Sequence, residues 1–254
     1  MSHDRQSLAG RARVRSRAVV GALFLALTVS GCATRQNPDP LESWNRKVFA
    51  FNDGLDRRVV RPVAQAYKAV TPEFFRIGVS NFVGNFKDML STTNLFLQGR
   101  FADGTMGVMR VGVNTTFGLA GLLDVATPMR LYRQDEDFGQ TLGSWGVAPG
   151  AYIVWPFFGS STLRDSFAMP ADMYFSPTTV MHNAASENRV RVLNVVNLRS
   201  NYLDASNLML DVALDPYAFV RDAYLQRRQS LVYNGDPPEE DDEEVPPAED
   251  PSRE

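Results

Sequence analysis

Apolar residues recur along much of the chain at the three-to-four-residue spacing of a helix face, and helix-start signals precede them. Asp39-Pro40-Leu41-Glu42 reads as a capping box, with Asp at the N-cap, Pro at the first helical position and Glu at the third. Behind it Trp44, Val48, Phe51, Leu55 and Val59 share a face, and Pro62 is expected to bend or end the run. Thr71-Pro72 repeats the cap-plus-proline signal ahead of Phe75, Val79, Phe82 and Phe86. Asp215-Pro216 does so again before Tyr217, Val220 and Tyr224, Thr162 with Asp165 marks another cap, and an amphipathic run covers 187–203. No stretch sustains the alternation of a strand and no internal repeat is visible, with Ser160 and Ser161 reading as turn or cap residues. The pattern predicts a body that is mostly α-helical.

Two segments break the pattern. Residues 138–163, "FGQTLGSWGVAPGAYIVWPFFGSSTL", carry no charge and are interrupted by five glycines and two prolines. Residues 111–128, "VGVNTTFGLAGLLDVATP", are uncharged until Asp124 and contain Gly112, Gly118 and Gly121. A membrane-spanning helix needs about 20 consecutive apolar residues, which neither supplies unbroken. Two readings fit both segments. They are buried glycine-rich loops of an ordinary core, or they sit at membrane depth, where broken backbone is tolerated only beside protein or a watery cavity. On the second reading Asn114, Thr115, Gly118, Gly121, Asp124, Gly143 and Gly146 are candidates for a channel wall or hinge. Gly118 and Gly121 serve equally well for close helix packing. Trp145, Tyr152 and Trp155 suit an interface, and Phe82 and Trp155 are candidates for lipid contact, with core packing as the alternative for each.

The ends of the chain favour a bilayer. Residues 1–31 combine five arginines, a short apolar run and the tetrapeptide Val29-Ser30-Gly31-Cys32, the form of a bacterial lipoprotein signal peptide. Cys32, the single cysteine, reads as the attachment point for N-acyl and S-diacylglyceryl groups, which together anchor stably. Residue 33 is Ala rather than Asp, so outer-membrane sorting is expected. Residues 32–38 then form a lipidated linker, 39–234 a single helical domain, and 235–254 a tail whose ten acids and five prolines predict disorder. Setting aside the leader's five arginines and one aspartate, and the tail's ten acids and one arginine, leaves 20 basic and 18 acidic residues. A net charge of about +2 gives no basic field for nucleic acid.

Catalytic constellations are missing from the pattern. The mature region has one histidine, His182, and Ser144 in "LGSWG" lacks the spacing of a nucleophile elbow. No second histidine or free cysteine offers metal ligands, and phosphate loops are absent. Neither an enzyme nor a resident cofactor is expected.

The motifs "DPLESWNR" (39–46), "RPVAQAY" (61–67), "NFVGN" (81–85), "NTTFGLAGLLDVA" (114–126), "DFGQTLGSWGVAPGAYIVWPFFGSSTLRD" (137–165) and "DPYAFVRDAYLQRR" (215–228) resemble, in order, the VacJ/MlaA family of outer-membrane lipoproteins. The sequence departs from the family pattern at Ala151, Ser160 and Ala168, where Pro, Pro and Gly are expected. The resemblance implies an all-α, ring-like domain seated in the inner leaflet of the outer membrane on the periplasmic side, monotopic and enclosing an amphipathic central channel. It implies association with a porin trimer, and delivery of mislocalised phospholipids to the soluble periplasmic carrier MlaC, which preserves lipid asymmetry. A structural or assembly lipoprotein that binds outer-membrane barrels without transport is the alternative.

Overall fold

The computed structural model describes residues 38–175 and 184–238. Helix α1 (Glu42–Leu55) runs into a π turn (Asp56–Val60) and continues as α2 (Arg61–Val70), so Pro62 neither ends nor breaks the run. A proline ring clashes with the carbonyl four residues back; widening the turn, with the Arg61 N–H bonded to the Asp56 carbonyl, relieves that conflict. After a short break at Thr71 and Pro72 comes α3 (Glu73–Leu97), which packs along α4 (Phe101–Thr116).

A one-turn 3-10 helix (Thr127–Met129) and α5 (Phe138–Ser144) follow. Then come a two-stranded antiparallel hairpin, β1 (Tyr152–Trp155) with β2 (Gly159–Thr162), and α6 (Leu163–Tyr174). Helices α7 (Ala184–Val212) and α8 (Pro216–Val232) complete the body. Among the described residues no helix is long and apolar enough to cross a membrane.

Three local expectations need correction. Asp39 does not cap α1: Leu41 holds the cap position without a side-chain bond, and the buried Asp39 carboxylate instead accepts from Asn45 and Tyr217. Thr71 does not cap α3 either, because Pro72 occupies that position and contributes no side-chain hydrogen bond. The hairpin went unforeseen, and Ser160 and Ser161 are strand residues in it. Its register pairs Tyr152 with Thr162 and Trp155 with Gly159. Tyr152 and Val154 are buried while Trp155 faces out, so burial alternates although "YIVW" is uniformly apolar and hides the period. The caps at Thr162 and Asp215 are formed as expected, each accepting backbone N–H bonds of the helix it opens.

The distribution of apolar side chains is inverted. The buried apolar cluster is small: Val48, Tyr152, Val154 and Tyr217, with Phe49, Tyr224 and Leu225 against it. On α3 the predicted apolar face is only half-buried at Val79, Phe82 and Phe86 and is exposed at Phe75. The buried residues are Gly84, Asn85, Asp88, Ser91, Thr92, Asn94 and Leu95, while Phe74, Phe75, Ile77 and Met89 are exposed. Periodicity located the helix, but the rule that the apolar stripe faces inward assumes water outside.

Candidate functional site: a polar interior

Helix α3 turns Asn85, Asp88, Thr92 and Asn94 toward the protein, and α4 answers with Arg110, which is 2% exposed. Arg110 Nε donates to Asp88 Oδ2 at 2.9 Å and Nη2 to Asp124 Oδ2 at 2.8 Å. Its Nη1 donates to Thr127 Oγ1 at 3.0 Å and the Leu131 carbonyl at 2.5 Å. Arg133 Nε reaches the other Asp88 oxygen at 2.8 Å. Two guanidiniums therefore face two carboxylates, in the hydrogen-bonded geometry that makes buried charge tolerable. Burial alone would raise the Asp124 carboxyl; hydrogen bonds from Thr127 and Arg110 overcome it and hold it at about 2.

This cluster organises residues 111–128. Asn114 is also buried; its Oδ1 accepts the Val125 and Ala126 N–H groups, both at 2.9 Å, and its Nδ2 reaches Asp124 at 3.3 Å. Thr115 Oγ1 accepts from Asn85 Nδ2 at 3.0 Å. Between them the chain reverses through Leu119, Ala120 and Gly121 at φ 54°, 59° and 92°, the left-handed region that costs non-glycine residues strain. A Cβ on Gly121 would stand 2.7 Å from Asn85 side-chain atoms. One on Gly118 would overlap the Leu123 carbonyl oxygen and lie 2.5 Å from that of Asn114.

Asn114, Thr115, Gly118, Gly121 and Asp124 are thus brought together, with their polar groups engaged in holding the loop. Asn85 Oδ1, beside Gly121, is buried without a hydrogen-bond partner. Phe117, Leu119 and Leu123 on the same loop are exposed.

A second polar cluster joins α5, α6 and α8. Arg228 donates to both oxygens of Asp137 at 2.6 Å and to both of Asp165 at 2.8 and 3.0 Å. Arg164 Nε and Tyr224 OH complete the shell of Asp165 at 3.0 and 3.1 Å. Burial would raise the Asp165 carboxyl, but Arg228 and Arg164 bring it below its ordinary value. Gly143 makes room here, since a Cβ would lie 2.7 Å from Arg164 Nη1 and 2.9 Å from Val232. Gly146, at φ 89° in the following turn, has open space around it. A third link pins the hairpin to α1: Asn45 donates to Asp39 and to the Tyr152 carbonyl at 2.8 and 3.0 Å, and accepts the Val154 N–H at 2.8 Å.

Asp172 on α6 is the exception among these carboxylates. Burial raises it to about 6, nearby Asp137 and Asp165 add to the effect, and the Phe138 N–H and Arg228 only partly offset it. A carboxyl whose folded value is raised contributes stability below about 4, the unfolded value, and loses it as pH rises through about 6. Asp172→Asn keeps an acceptor for the Phe138 N–H, bonded at 3.0 Å. We expect it to stabilise the protein by about 1–2 kcal/mol at pH 7.5, and not at pH 4, in thermal unfolding of the mature protein. An equal shift at both pH values would contradict the assignment.

The remaining candidates lie outside these clusters. Phe82 is half-buried and stacks edge-on against Phe86, with centroids 5.0 Å apart. Trp155 is 38% exposed, its indole N–H bonded to Ser166 at 2.8 Å. Ser144 donates to the Thr141 carbonyl at 2.8 Å. Cys32 and His182 lie outside the described residues. Sequence reasoning missed Asn45, Asp88, Arg110, Asp165 and Arg228. Arg110 left a signal, being the one charge between Asp103 and Asp124 in an apolar, glycine-rich run.

Many large apolar side chains stand exposed over a hydrogen-bonded polar interior, the reverse of an ordinary soluble helical domain. Residues 37–231 match the model of the MlaA lipoprotein family, and the chain belongs to that family. The intermembrane phospholipid transport system lipoprotein MlaA of Escherichia coli K12 is 35% identical over 228 residues, covering 88% of this chain and 90% of that one. An uncharacterised protein of Rickettsia bellii is 37% identical over 206 residues, 80% of each chain. A structure solved for the basis of maintenance of bacterial outer-membrane lipid asymmetry superposes with a TM-score of 0.68 at 37% identity. It covers 76% of this chain and 98% of its own.

Proposed function

We propose that this protein is an outer-membrane lipoprotein that withdraws phospholipids mislocalised in the outer leaflet and passes them to a soluble periplasmic carrier, MlaC. The lipid-modified Cys32 anchors it, the body sits ring-like in the inner leaflet beside a porin trimer, and the lipid passes through an amphipathic channel. The observation that carries this reading is the inversion: Phe74, Phe75, Ile77 and Met89 outside, Asp88 and Arg110 inside. The physical task is to move a charged head group past hydrocarbon, which is costly because the group loses its hydration. A polar passage lowers that barrier while the apolar exterior holds the body among acyl chains. Direction then comes from removal of lipid by the carrier.

The test is a strain lacking the gene. Intact cells should expose more phospholipid to an added phospholipase, and the restored gene should reverse this. Altered porin assembly with unchanged phospholipase susceptibility would support the assembly role instead. Cys32→Ala is expected to leave an unprocessed or mislocalised precursor, visible on immunoblots of fractionated membranes. Processing of the wild type that is insensitive to globomycin would count against the lipid anchor.

A further inference from the structure

The turn that joins the two strands is built at a cost. Phe157 sits at φ 68°, in the left-handed region that strains any residue with a Cβ. Burial is the usual compensation, and it is missing: Phe157 is 72% exposed, and Phe51 on α1, whose ring it meets edge-on, is 51% exposed. Asn52 holds the turn from α1. Its Nδ2 donates to the Trp155 carbonyl at 3.0 Å, and its Oδ1 accepts the Phe157 N–H at 2.9 Å. One side chain thus grips the backbone on both sides of Pro156 and fixes where the Phe157 ring stands, 5.5 Å from that of Phe51 between centroids.

What the two rings close is a groove. Lys47, Val48, Phe51, Pro156 and Phe157 line a shallow hollow of about 280 Å³ between α1 and the turn. Four of the five are apolar. The one charge is Lys47, exposed and without a hydrogen bond or ion pair among the described residues, whereas its neighbour Arg46 is committed to Glu42 and Asp215. An apolar hollow with a free ammonium at its edge complements an anionic amphiphile, the chain lying against the rings and the phosphate against the ammonium. Lys47, Phe51 and Phe157 are all exposed, so both parts of such a molecule can reach them.

We propose that this groove holds an acyl chain of an anionic glycerophospholipid, with Lys47 at the phosphate. Asn52 is the positioning residue that keeps the Phe157 ring in the wall. The assignment rests on the lipid-handling reading above and adds a defined subsite to it. Strain at Phe157 is then maintained for the ligand and not for the fold.

The probe is phosphatidylglycerol with a photoreactive diazirine on one acyl chain, added at subsaturating amounts to the mature lipidated protein in a neutral detergent. Diacylglycerol with the same chain, which lacks the phosphate, is the control. Mass spectrometry of the labelled protein should find residues 47–51 modified well above Phe74 and Phe117, which are also exposed. Equal labelling of all these sites overturns the proposal, leaving an unselective apolar exterior. Labelling by diacylglycerol as strong as by the phospholipid also overturns it. Lys47→Gln should cut labelling about fivefold, the worth of one charge-assisted contact at an exposed site. Phe157→Gly should cut it about tenfold while the unfolding temperature holds or rises, because glycine adopts a positive φ freely. A lower unfolding temperature with unchanged labelling would assign the ring to the fold and overturn the proposal. Failure of the wild-type gene to restore the phospholipase barrier would sink the transport reading and leave this labelling unaffected.

Discussion

Arg110→Met should lower stability by about 3–5 kcal/mol, the cost of breaking a buried ion cluster by removing one side. The methionine matches the arginine stem in length but offers no donors. Asp88 keeps Arg133, at 2.8 Å. Asp124 keeps only hydrogen bonds from Thr127 and Asn114, and Thr127 and the Leu131 carbonyl lose the Nη1 donor that ties the segment after α4 to the helix pair. A loss of this size is a large share of the stability of an ordinary domain, so the variant should accumulate poorly in cells. Denaturant unfolding of the purified variant measures it directly. A midpoint within experimental scatter of the wild type would show that the cluster does not carry the fold.

Acid titration gives a related signature. A carboxyl depressed to about 2, as Asp124 is, stabilises the folded state above about 4 and loses that contribution as pH falls toward 2. The Arg110 variant should therefore be less sensitive than the wild type in that window.

Gly121→Val is the second large effect expected. The position needs a left-handed backbone, which a β-branched residue adopts only with strain of about 1–3 kcal/mol. The new side chain would also displace Asn85, whose Nδ2 holds Thr115. We expect the 117–123 loop to open, with faster amide exchange at Val125 and Ala126 as the Asn114 bonds weaken. Outer-leaflet phospholipid should rise in cells that still contain lipidated protein at the normal level. A degraded variant would show that the glycine serves packing alone, and an abundant, fully active one would remove both accounts of it.

Much of the helical framework was legible in the sequence because local signals set it. Pro216 after Asp215, and Thr162 three residues before Asp165, each fix a helix start through a hydrogen bond that spans only a few residues. The hairpin was not legible. Its four-residue strands are held by Asn45, more than a hundred residues away, and a uniformly apolar "YIVW" carries no period to read. Capping at Asp39 failed for the same kind of reason, since Tyr217 claims its carboxylate from across the fold, together with Asn45 on α1. Of the polar clusters, Asn114, Thr115 and Asp124 stood out as candidates and Asp165 as a cap partner, while Asp88, Arg110 and Arg228 carried no assignment. Asp88, Arg110, Asp165 and Arg228 are ordinary surface types in composition, and only the reversed sense of inside and outside makes them interior.

That reversal bears on the life of the chain before it reaches a membrane. An ordinary domain hides its oily residues when it folds, and can then wait in water indefinitely. This one finishes folding with aromatic side chains such as Phe74, Phe117 and Phe157 still bare. Any aqueous crossing it makes is a period of jeopardy, because exposed patches of this kind drive self-association. On the proposed seating in lipid, such a chain needs an escort that shields these side chains until lipid replaces it, and the bilayer itself then acts as the last component of the native state.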